Sequence, residues 1–534
     1  MRIFRTLLPT SAILLSFICG STVYAAGSAA PLLNSNGQSM QQVATAAGDG
    51  LFRDKDGNPA AASFRMPGPL AIGSDGSLLI GDSGNHKIRK LNFKQVSTYA
   101  GPERSMLLDP SGLPQGALLD GKSSSALFHS PGGLAAGFDG TLYVADTQNN
   151  AIRKVAPSGQ VTTLAGNGRI GSEDGTGTAA SFYHPGGIAV TKTGIVYVAD
   201  TLNHVIRKID ENGVTTTLNS APVRVVEAFP GLAARAGDYK DGKLSEAWFN
   251  EPTGLALDNQ NNLYVSDTGN QRIRYINFTT GQVTTVAGAG KASGGTAIYD
   301  KNALYAAGGY KDGKASDALF DAPKGIALDS SGGLVVADSL NHVIRYIHHG
   351  AVTTLAGLAT ESGMRDGIES TALFNHPDGV AIAADDTIYI ADTGNNRIRS
   401  VSLYRLPSGL TKDNSIKVVV GQDQIKFDAK PETSRSRIMV PVRQIAERLG
   451  YKVSYADGGN TIRLTKADET IELYLNMKKI KRIDGNGLAT VKATDVTAYN
   501  KNNRTYVPLR FFAEETGSDV QWIKKDQIAI LRNK

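Results

Sequence analysis

Three histidines could hold a metal ion, which would be the most direct catalytic chemistry open to this chain. His184 and His376 directly precede a proline that opens an apolar segment, and His129 lies two residues before the corresponding proline. Imidazoles that converge from separate segments can bind zinc. These three belong to the second, third and sixth copies of a sixfold repeat, which is an uneven distribution. They are therefore weak metal candidates, and no metal or cofactor is predicted.

A second polar set recurs six times, with Asn three residues and Arg seven residues after an Asp. Suppose that residues 83–86 form a turn between two paired strands. Asp82 then pairs with Lys87 and lies diagonally next to Arg89, within reach of a long side chain. A catalytic centre does not need six copies, so we predict a structural role. The six sets are Asp82, Asn85 and Arg89; Asp146, Asn149 and Arg153; Asp200, Asn203 and Arg207; Asp267, Asn270 and Arg274; Asp338, Asn341 and Arg345; and Asp392, Asn395 and Arg399.

The same turns also contain histidines, for which we predict a role as polar turn residues. Other repeats have an amide side chain at this position, which suits a turn equally well. The six residues are His86, Asn150, His204, Gln271, His342 and Asn396.

Motifs of common enzymes are absent from the sequence. It contains no Gly-x-Ser-x-Gly, no His-Glu-x-x-His and no P-loop string. Residues 54–58 resemble half of a calcium loop but lack the downstream Glu that such loops use. We predict a solvated turn there.

The elements that position these residues are short strands. Each repeat contains four apolar runs, and repeats of this kind must stack to bury their faces. Four strands repeated six times predict a six-bladed β-propeller over residues 41–403. The sixth repeat lacks its fourth strand, whereas residues 42–48 form a strand without a repeat of their own. We predict that this N-terminal strand completes the sixth blade and closes the ring.

These repeats resemble the NHL family of propellers. The resemblance rests on the strings Ala-Asp-Thr-x-Asn-x-x-Ile-Arg and Val-Thr-Thr-Leu-Ala-Gly, and repeat one departs from it slightly, with Gly81 and Asp82. It implies scaffold or ligand-binding propellers, although related propellers include lyases and lactonases. The resemblance therefore indicates the fold better than the activity.

Three connections between repeats are long, at roughly residues 102–130, 219–251 and 289–322. The turn after each repeated Asp and the connections between repeats should share one face of a propeller. Loops of this length are often functional, and tyrosine suits recognition. We predict that the tyrosines of these loops bind a ligand; the alternative is that they pack over the blades. The four candidates are Tyr239, Tyr299, Tyr305 and Tyr310.

A linker over residues 404–415 leads to a duplicated α+β domain over residues 416–534. The string Val-Pro-[Val/Leu]-Arg-x-[Ile/Phe]-Ala-Glu occurs twice, 67 residues apart, and each copy continues into a short amphipathic helix. This string resembles the domain named after the N-terminal (stalk) region of copper amine oxidases. Copper and oxidase activity are not implied, because the oxidase reaction needs three His ligands and an Asn-Tyr pair in a separate domain. Residues 416–534 contain no His, and the chain has no Asn-Tyr pair.

Charge divides unevenly between the two domains. Residues 416–534 hold 22 Lys and Arg against 14 Asp and Glu, whereas residues 26–415 hold 32 against 36. A basic module outside the cell favours anionic surfaces such as cell-wall polymers, although a simply solvated basic surface is an alternative. The densest cluster, which we expect on an exposed hairpin, is Lys478, Lys479, Lys481 and Arg482.

The N-terminus has the pattern of a secretory signal peptide. Arg2 and Arg5 precede a short apolar run, and a small-x-small site predicts cleavage after Ala25. Cleavage removes Cys19, the only cysteine, so the mature chain has no disulfide. Residues 26–40 are predicted to be a flexible segment. We expect a secreted or wall-associated protein without later membrane insertion and without a nucleic-acid partner.

Together these features predict a mainly β chain, with a six-bladed propeller followed by a small α+β domain. We expect an exported, non-enzymatic scaffold that binds a protein or glycan through the propeller loops and uses the basic domain as a stalk or anchor. A lyase or lactonase with a metal at the central channel is the first alternative, and a purely structural surface protein is the second.

Overall fold

The computed structural model describes residues 32–34, 37, 39–92, 94–103, 108–289, 298–411, 413–494 and 496–534. The expected signal peptide, Cys19 and most of the segment over residues 26–40 lie outside this range. No helix within the described residues is long and apolar enough to cross a membrane.

Six antiparallel sheets of four main strands form the first part of the molecule. We name them blades 1 to 6, with strands a to d from the centre outward. The innermost strands contact one another in a closed ring. Strands a are Pro67–Ile72, Pro131–Ala136, Pro185–Val190, Pro252–Leu257, Pro323–Leu328 and Pro377–Ile382. Strands b are Leu78–Asp82, Leu142–Asp146, Val196–Asp200, Leu263–Asp267, Leu334–Asp338 and Ile388–Asp392. The mainly β fold class is thereby confirmed.

The outer strands complete each blade. Strands c are Lys87–Leu91, Ala151–Val155, Val205–Ile209, Arg272–Asn277, Val343–His348 and Arg397–Leu403. Strands d are Val96–Ala100, Gln160–Ala165, Val214–Thr217, Gln282–Ala287, Ala351–Ala356 and, for blade 6, Gln41–Ala47. Five blades add a two-residue outer strand that includes the Gly of an Asp-Gly pair: Gly121–Lys122, Gly175–Thr176, Gly242–Lys243, Gly313–Lys314 and Gly367–Ile368.

The N-terminal strand closes the ring as predicted. Val43 pairs with Val401 and Thr45 with Arg399, so that Gln41–Ala47 occupies the fourth position of blade 6. The apolar cores lie between neighbouring blades rather than within one. Phe128 of the connection into blade 2, for example, belongs to the same buried cluster as Ile88 of blade 1. A blade therefore depends on both of its neighbours, as expected of a repeat architecture.

Glycine is required where the innermost strands approach one another at the axis. A Cβ on Gly187 would fall on the carbonyl oxygen of Thr253 in the next blade. Blade 1 has Pro69 at this position, and its strand b has Gly81, where a Cβ would collide with the Pro69 ring. The unusual Gly81 of repeat one therefore accommodates Pro69. The equivalent glycines are Gly133, Gly187, Gly254, Gly325 and Gly379.

The C-terminal domain contains three sheets and two short helices, α1 (Val442–Arg448) and α2 (Leu509–Glu515). Gly450 and Gly517 follow the helices with positive φ, a conformation that suits glycine and ends a helix. The two copies of the duplicated strand, Arg437–Pro441 and Arg504–Pro508, pair antiparallel with each other. The remaining strands are Lys417–Val420, Asp423–Gln424, Glu432–Ser434, Lys452–Ala456, Thr461–Lys466, Glu469–Tyr474, Lys479–Ile483, Ala489–Ala493, Tyr499–Lys501, Ser518–Ile523 and Ile528–Asn533.

A buried seam joins this domain to blade 6. Arg532 of the last strand is almost fully buried and donates to the Glu369 carboxylate and to the carbonyl of Gln41 at the start of the closing strand. Glu369 also accepts the Gln41 N–H at 3.0 Å. An apolar cluster continues the seam: Met40, Tyr404, Val419, Ile528 and Ile530. The C-terminal domain is therefore packed against the ring closure.

Candidate functional site

The repeated Asp–Asn–Arg set forms one buried network per blade. In blade 3 the Asp200 carboxylate accepts hydrogen bonds from Arg207 at 2.7 Å, from Asn203 at 2.8 Å and from the Tyr183 N–H at 2.8 Å. Burial raises the pKa of Asp200 to about 6, against the opposing effect of its donors. The predicted register, in which Asp82 pairs with Lys87, is also present. The network therefore stabilises each blade by joining strand b, the following turn and strand c.

The sequence interpretation missed a second carboxylate in this network. Arg207 also donates to Asp174 at 2.9 Å, and its guanidinium lies over the Phe182 ring at 4.9 Å. An Asp-Gly pair 33 residues before each repeated Arg was the available signal. The six aspartates are Asp56, Asp120, Asp174, Asp241, Asp312 and Asp366.

The calcium-like segment at residues 54–58 is the first copy of this Asp-Gly element. Asp54 forms an ion pair with Lys87 at 2.6 Å, and Asp56 pairs with Arg89. Lys55 and Asn58 are exposed, as expected of a solvated turn, but both carboxylates bind basic side chains that are fully buried.

The turn histidines connect blades, which goes beyond the predicted role as turn residues. His204 Nδ1 accepts the N–H of Glu251, the residue before strand a of the next blade, at 3.1 Å. The residue at this position, rather than the preceding Asn, adopts the left-handed conformation. All six turns make the same contact: His86 with Ser130, Asn150 with His184, His204 with Glu251, Gln271 with Ala322, His342 with His376, and Asn396 with Met66.

The three metal candidates do not converge. The His129 ring packs edge-on against His86 at 5.0 Å, and the His376 ring packs in the same way against His342 at 4.7 Å. His184 instead lines the central channel. Within the described residues, no three or more His, Cys, Asp or Glu side chains are grouped so that they could hold a metal ion.

The central channel encloses about 270 Å³ and holds one ion pair. Lys324 donates to Asp378 at 2.9 Å, and this carboxylate raises the pKa of Lys324. Both residues directly follow the proline that opens strand a, a position that is Gly or Thr in the other blades. Sequence inspection could have found this pair by comparing that position across repeats.

The long connections of blades 3 to 5 are tied together on the face that carries the b–c turns. Arg224 donates to the carbonyls of Gly237, Ala303 and Leu304 at 2.6 to 2.9 Å. Tyr299 stacks on the Arg224 guanidinium at 3.7 Å. The face also includes a hairpin of Val225–Phe229 and Leu232–Arg235. These contacts join the connections of neighbouring blades to one another on this face.

The four candidate tyrosines differ in their surroundings. Tyr239 and Tyr310 lie under the repeated Arg residues, with their hydroxyls bonded to Thr285 and Thr354 at 2.9 and 2.7 Å. Tyr299 is held between Arg224 and Asn270. Tyr305 is 46% exposed, and its hydroxyl donates to Glu251 at 3.0 Å. These contacts hold Tyr239 and Tyr299 against the propeller, whereas Tyr310 and Tyr305 are 38% and 46% exposed. Ligand binding by the four tyrosines stays a prediction.

Two of the long connections expose large aliphatic residues. We call them the loop patches: Leu108 and Leu113 in the first connection, which are 56% and 40% exposed, and Val223, Val225 and Leu232 in the second, which are 80%, 59% and 57% exposed. Pro114 in the first connection accepts a hydrogen bond from the turn residue His86, which places that patch on the turn face.

The basic cluster lies on a hairpin, as predicted, formed by Glu469–Tyr474 and Lys479–Ile483, and Lys478 and Lys479 are exposed. Lys479–Ile483 is a strand inside a five-stranded sheet, and only Lys478 of the four lies in the preceding turn. Arg482 pairs with Glu469 at 2.5 Å, and Lys481 lies 3.9 Å from Glu472. Part of the cluster's charge is therefore neutralised locally.

Comparison with known families identifies both parts of the chain. Residues 419–531 match the copper amine oxidase N-terminal domain, residues 165–229 match the Teneurin NHL domain, and residues 249–274 and 374–399 match the NHL repeat.

Curated relatives share the repeat region at low identity. Protein SUPPRESSOR OF QUENCHING 1, chloroplastic, of Arabidopsis thaliana is 27% identical over 66% of this chain and 32% of its own length. NHL repeat-containing protein 2 of Homo sapiens is 26% identical over 66% of this chain and 48% of its own length. Teneurin-3 of Danio rerio is 28% identical over 70% of this chain and 13% of its own length. The chain spans less than half the length of these three relatives.

Solved structures similar to this chain include an auxiliary nutrient binding protein from Bacteroides ovatus, at TM-score 0.48 and 15% identity over 70% of this chain and 83% of that one. A streptogramin B lyase structure has a TM-score of 0.39 and 12% identity, over 68% of this chain and 98% of that one. By its sequence matches, the chain contains NHL repeats followed by a copper amine oxidase N-terminal domain.

Proposed function

We propose that this protein is an exported binding scaffold. The propeller's turn face would bind a protein ligand, and the basic C-terminal domain would attach the chain to anionic cell-wall polymers. The observation that carries the proposal is the pair of loop patches, because large apolar side chains exposed on long connections of one face favour an interaction site.

The chemistry of the patches favours a protein over a glycan. Val223, Val225 and Leu232 are aliphatic and offer no polar end, whereas a sugar presents hydroxyls that need hydrogen-bond partners. The apolar core of a protein interface is the better match. Arg224 holds the connection in place from behind, so that little conformational entropy is lost on binding.

The anchoring part of the proposal rests on charge. The C-terminal domain carries 22 Lys and Arg against 14 Asp and Glu. An excess of this sign attracts polyanions over a range of about 10 Å at 0.1 M ionic strength. Because the domain is packed against blade 6, it would act as a rigid extension of the propeller.

The loop-face proposal is tested with the charge-bearing double variant Val223→Asp, Leu232→Asp. Immobilised wild-type chain is exposed to the secreted proteins of its host and to a glycan array, and bound molecules are identified. We expect a protein whose retention falls at least tenfold with the double variant, because two buried carboxylates would face an apolar partner.

Val491→Asp is the matched control, since Val491 is an equally exposed aliphatic residue, at 65%, in the C-terminal domain. It should leave retention unchanged. Binding of glycans but of no protein, or equal losses in both variants, would show that the loop patches are not a protein-binding face.

A further inference from the structure

The two copies of the duplicated C-terminal segment differ at one surface. With the offset of 67 residues, Arg443 corresponds to Arg510, Gln444 to Phe511 and Tyr455 to Trp522. The second copy thus replaces one amide with an aromatic ring and enlarges another ring. Both changes add apolar area at equivalent positions.

In the first copy this surface is covered by its own arginine. The Arg443 guanidinium lies over the Tyr455 ring at 5.8 Å. The ring that corresponds to Trp522 is therefore covered by a basic side chain of its own copy.

In the second copy the surface opens into a cavity of about 600 Å³. Phe511 and Trp522 are half-buried, so that each ring rests on the domain core and exposes part of its area. Arg510 is exposed at the edge of the cavity. Arg510, Phe511, Glu514 and Trp522 are among the residues that line the cavity.

These side chains suit one kind of ligand. An aromatic ring can cover the C–H face of a sugar, and Trp also keeps an N–H donor at its edge. An arginine binds a carboxylate through two parallel N–H donors. Glu514 can accept hydrogen bonds from sugar hydroxyls. A cavity of several hundred Å³ has the volume of a small-molecule site.

We propose that this cavity binds a carboxylate-bearing sugar unit of a cell-wall glycan. The inference rests on the proposed anchoring role and deepens it, because it replaces diffuse charge attraction with a defined site. Stacking on Trp522 and Phe511 selects a sugar, and Arg510 selects its carboxylate.

The chain offers a built-in reporter for this site. It contains two tryptophans, so Trp248→Phe leaves Trp522 as the sole tryptophan. The emission of the full-length variant is followed during titration with an oligogalacturonate, a neutral chitooligosaccharide and dextran sulfate. We expect a saturable change with the oligogalacturonate alone. No change, or the same change with dextran sulfate, would overturn the proposal.

The internal duplication supplies matched variants. Arg510→Ala should weaken oligogalacturonate binding at least tenfold, whereas Arg443→Ala, the equivalent change in the first copy, should leave it within twofold. Phe511→Gln, which gives the second copy the residue of the first, should also weaken binding at least fivefold. Circular dichroism checks that each variant folds. Equal effects of Arg510→Ala and Arg443→Ala would contradict a site in the second copy.

Co-sedimentation of the full chain with purified anionic cell wall separates this inference from the anchoring role. Salt-sensitive sedimentation that Arg510→Ala and Phe511→Gln leave unchanged would retain the anchor and reject the cavity. Absence of sedimentation would reject the anchor, while the fluorescence titration would still decide whether the cavity binds the sugar.

Discussion

At the scale of single residues, the repeated arginine makes the hydrogen bonds that join the separate segments of each blade. Arg207 is fully buried and uses both terminal nitrogens, to Asp200 and the Ser181 carbonyl on one side and to Asp174 and the Glu173 carbonyl on the other. It therefore joins strands b and c to the incoming connection. A buried charge is tolerable when partners of this kind compensate it, even though the buried Arg207 Nε has no hydrogen-bond partner within the described residues.

Arg207→Ala should destabilise the propeller by about 3–5 kcal/mol, because it leaves the buried Asp200 carboxylate without its cation. Urea unfolding followed by circular dichroism measures the change. Lys208→Ala is the control, since the adjacent side chain points to the other face of strand c. If both variants unfold at the same urea concentration, the buried pair does not contribute to stability.

The Asp–Arg pair could be predicted from sequence, because a seven-residue offset across a short turn fixes a local register. The second carboxylate, such as Asp174, lies 33 residues from its arginine, and no local rule connects them. The local neutralisation of Lys481 and Arg482 could not be predicted for a similar reason. Their acidic partners are on a neighbouring strand, and the cluster appears uncompensated when only adjacent residues are considered.

At the scale of elements, the last strand of the chain, Ile528–Asn533, packs beside Gly367–Ile368, the outermost strand of blade 6, which pairs with the closing strand. Arg532 bridges Asp519 of its own domain and Glu369 of the propeller. Removal of the propeller would expose Val419, Ile528 and Ile530. The domain has a buried core of its own, but this seam argues that its stability also depends on blade 6.

Arg532→Ala should therefore lower the melting temperature of the whole chain in a single transition, since it leaves Glu369 buried without its cation. Differential scanning calorimetry measures the transition. Arg448→Ala, which removes an exposed arginine of the same domain, should cause little change. Two separate transitions, with only the smaller one shifted, would show that the domains unfold independently.

The closing strand could be predicted because the sixth repeat lacks a strand that the N-terminus supplies. The seam could not, because its residues belong to no repeat, and Glu369 acquires its role only when strands far apart in sequence are brought together.

At the scale of the whole molecule, the contacts between blades alternate around the ring. Histidines make them after blades 1, 3 and 5, and amide side chains make them after blades 2, 4 and 6. Burial, with smaller repulsion from Arg224, lowers the pKa of His204 to about 4. Burial also lowers the pKa of His86 and His342, with added repulsion from His129 and His376.

Acid should therefore weaken three of the six contacts. A base with a lowered pKa binds its proton less readily in the folded chain, so its stabilisation is complete above pH 6.5 and is lost as the pH falls toward 4. Protonated Nδ1 can no longer accept the N–H of Glu251.

The triple variant His86→Asn, His204→Asn, His342→Asn copies the amide found after blades 2 and 6. Its melting temperature should fall less than that of wild type between pH 7 and pH 5. Parallel pH profiles of the two proteins would show that these imidazoles do not titrate with unfolding.

The position of the closing strand has a consequence for biosynthesis. Ala44 accepts a hydrogen bond from Ser400, which is 356 residues later in the chain. The strand that completes the ring thus leaves the ribosome early, whereas its partners on blade 6 and the arginine that secures them are synthesised near the end. Until then the nascent propeller has two unpaired sheet edges, which favour association with other chains. A chain exported in an unfolded state would avoid this interval, because all of its strands reach the folding compartment before any edge has to wait for its partner.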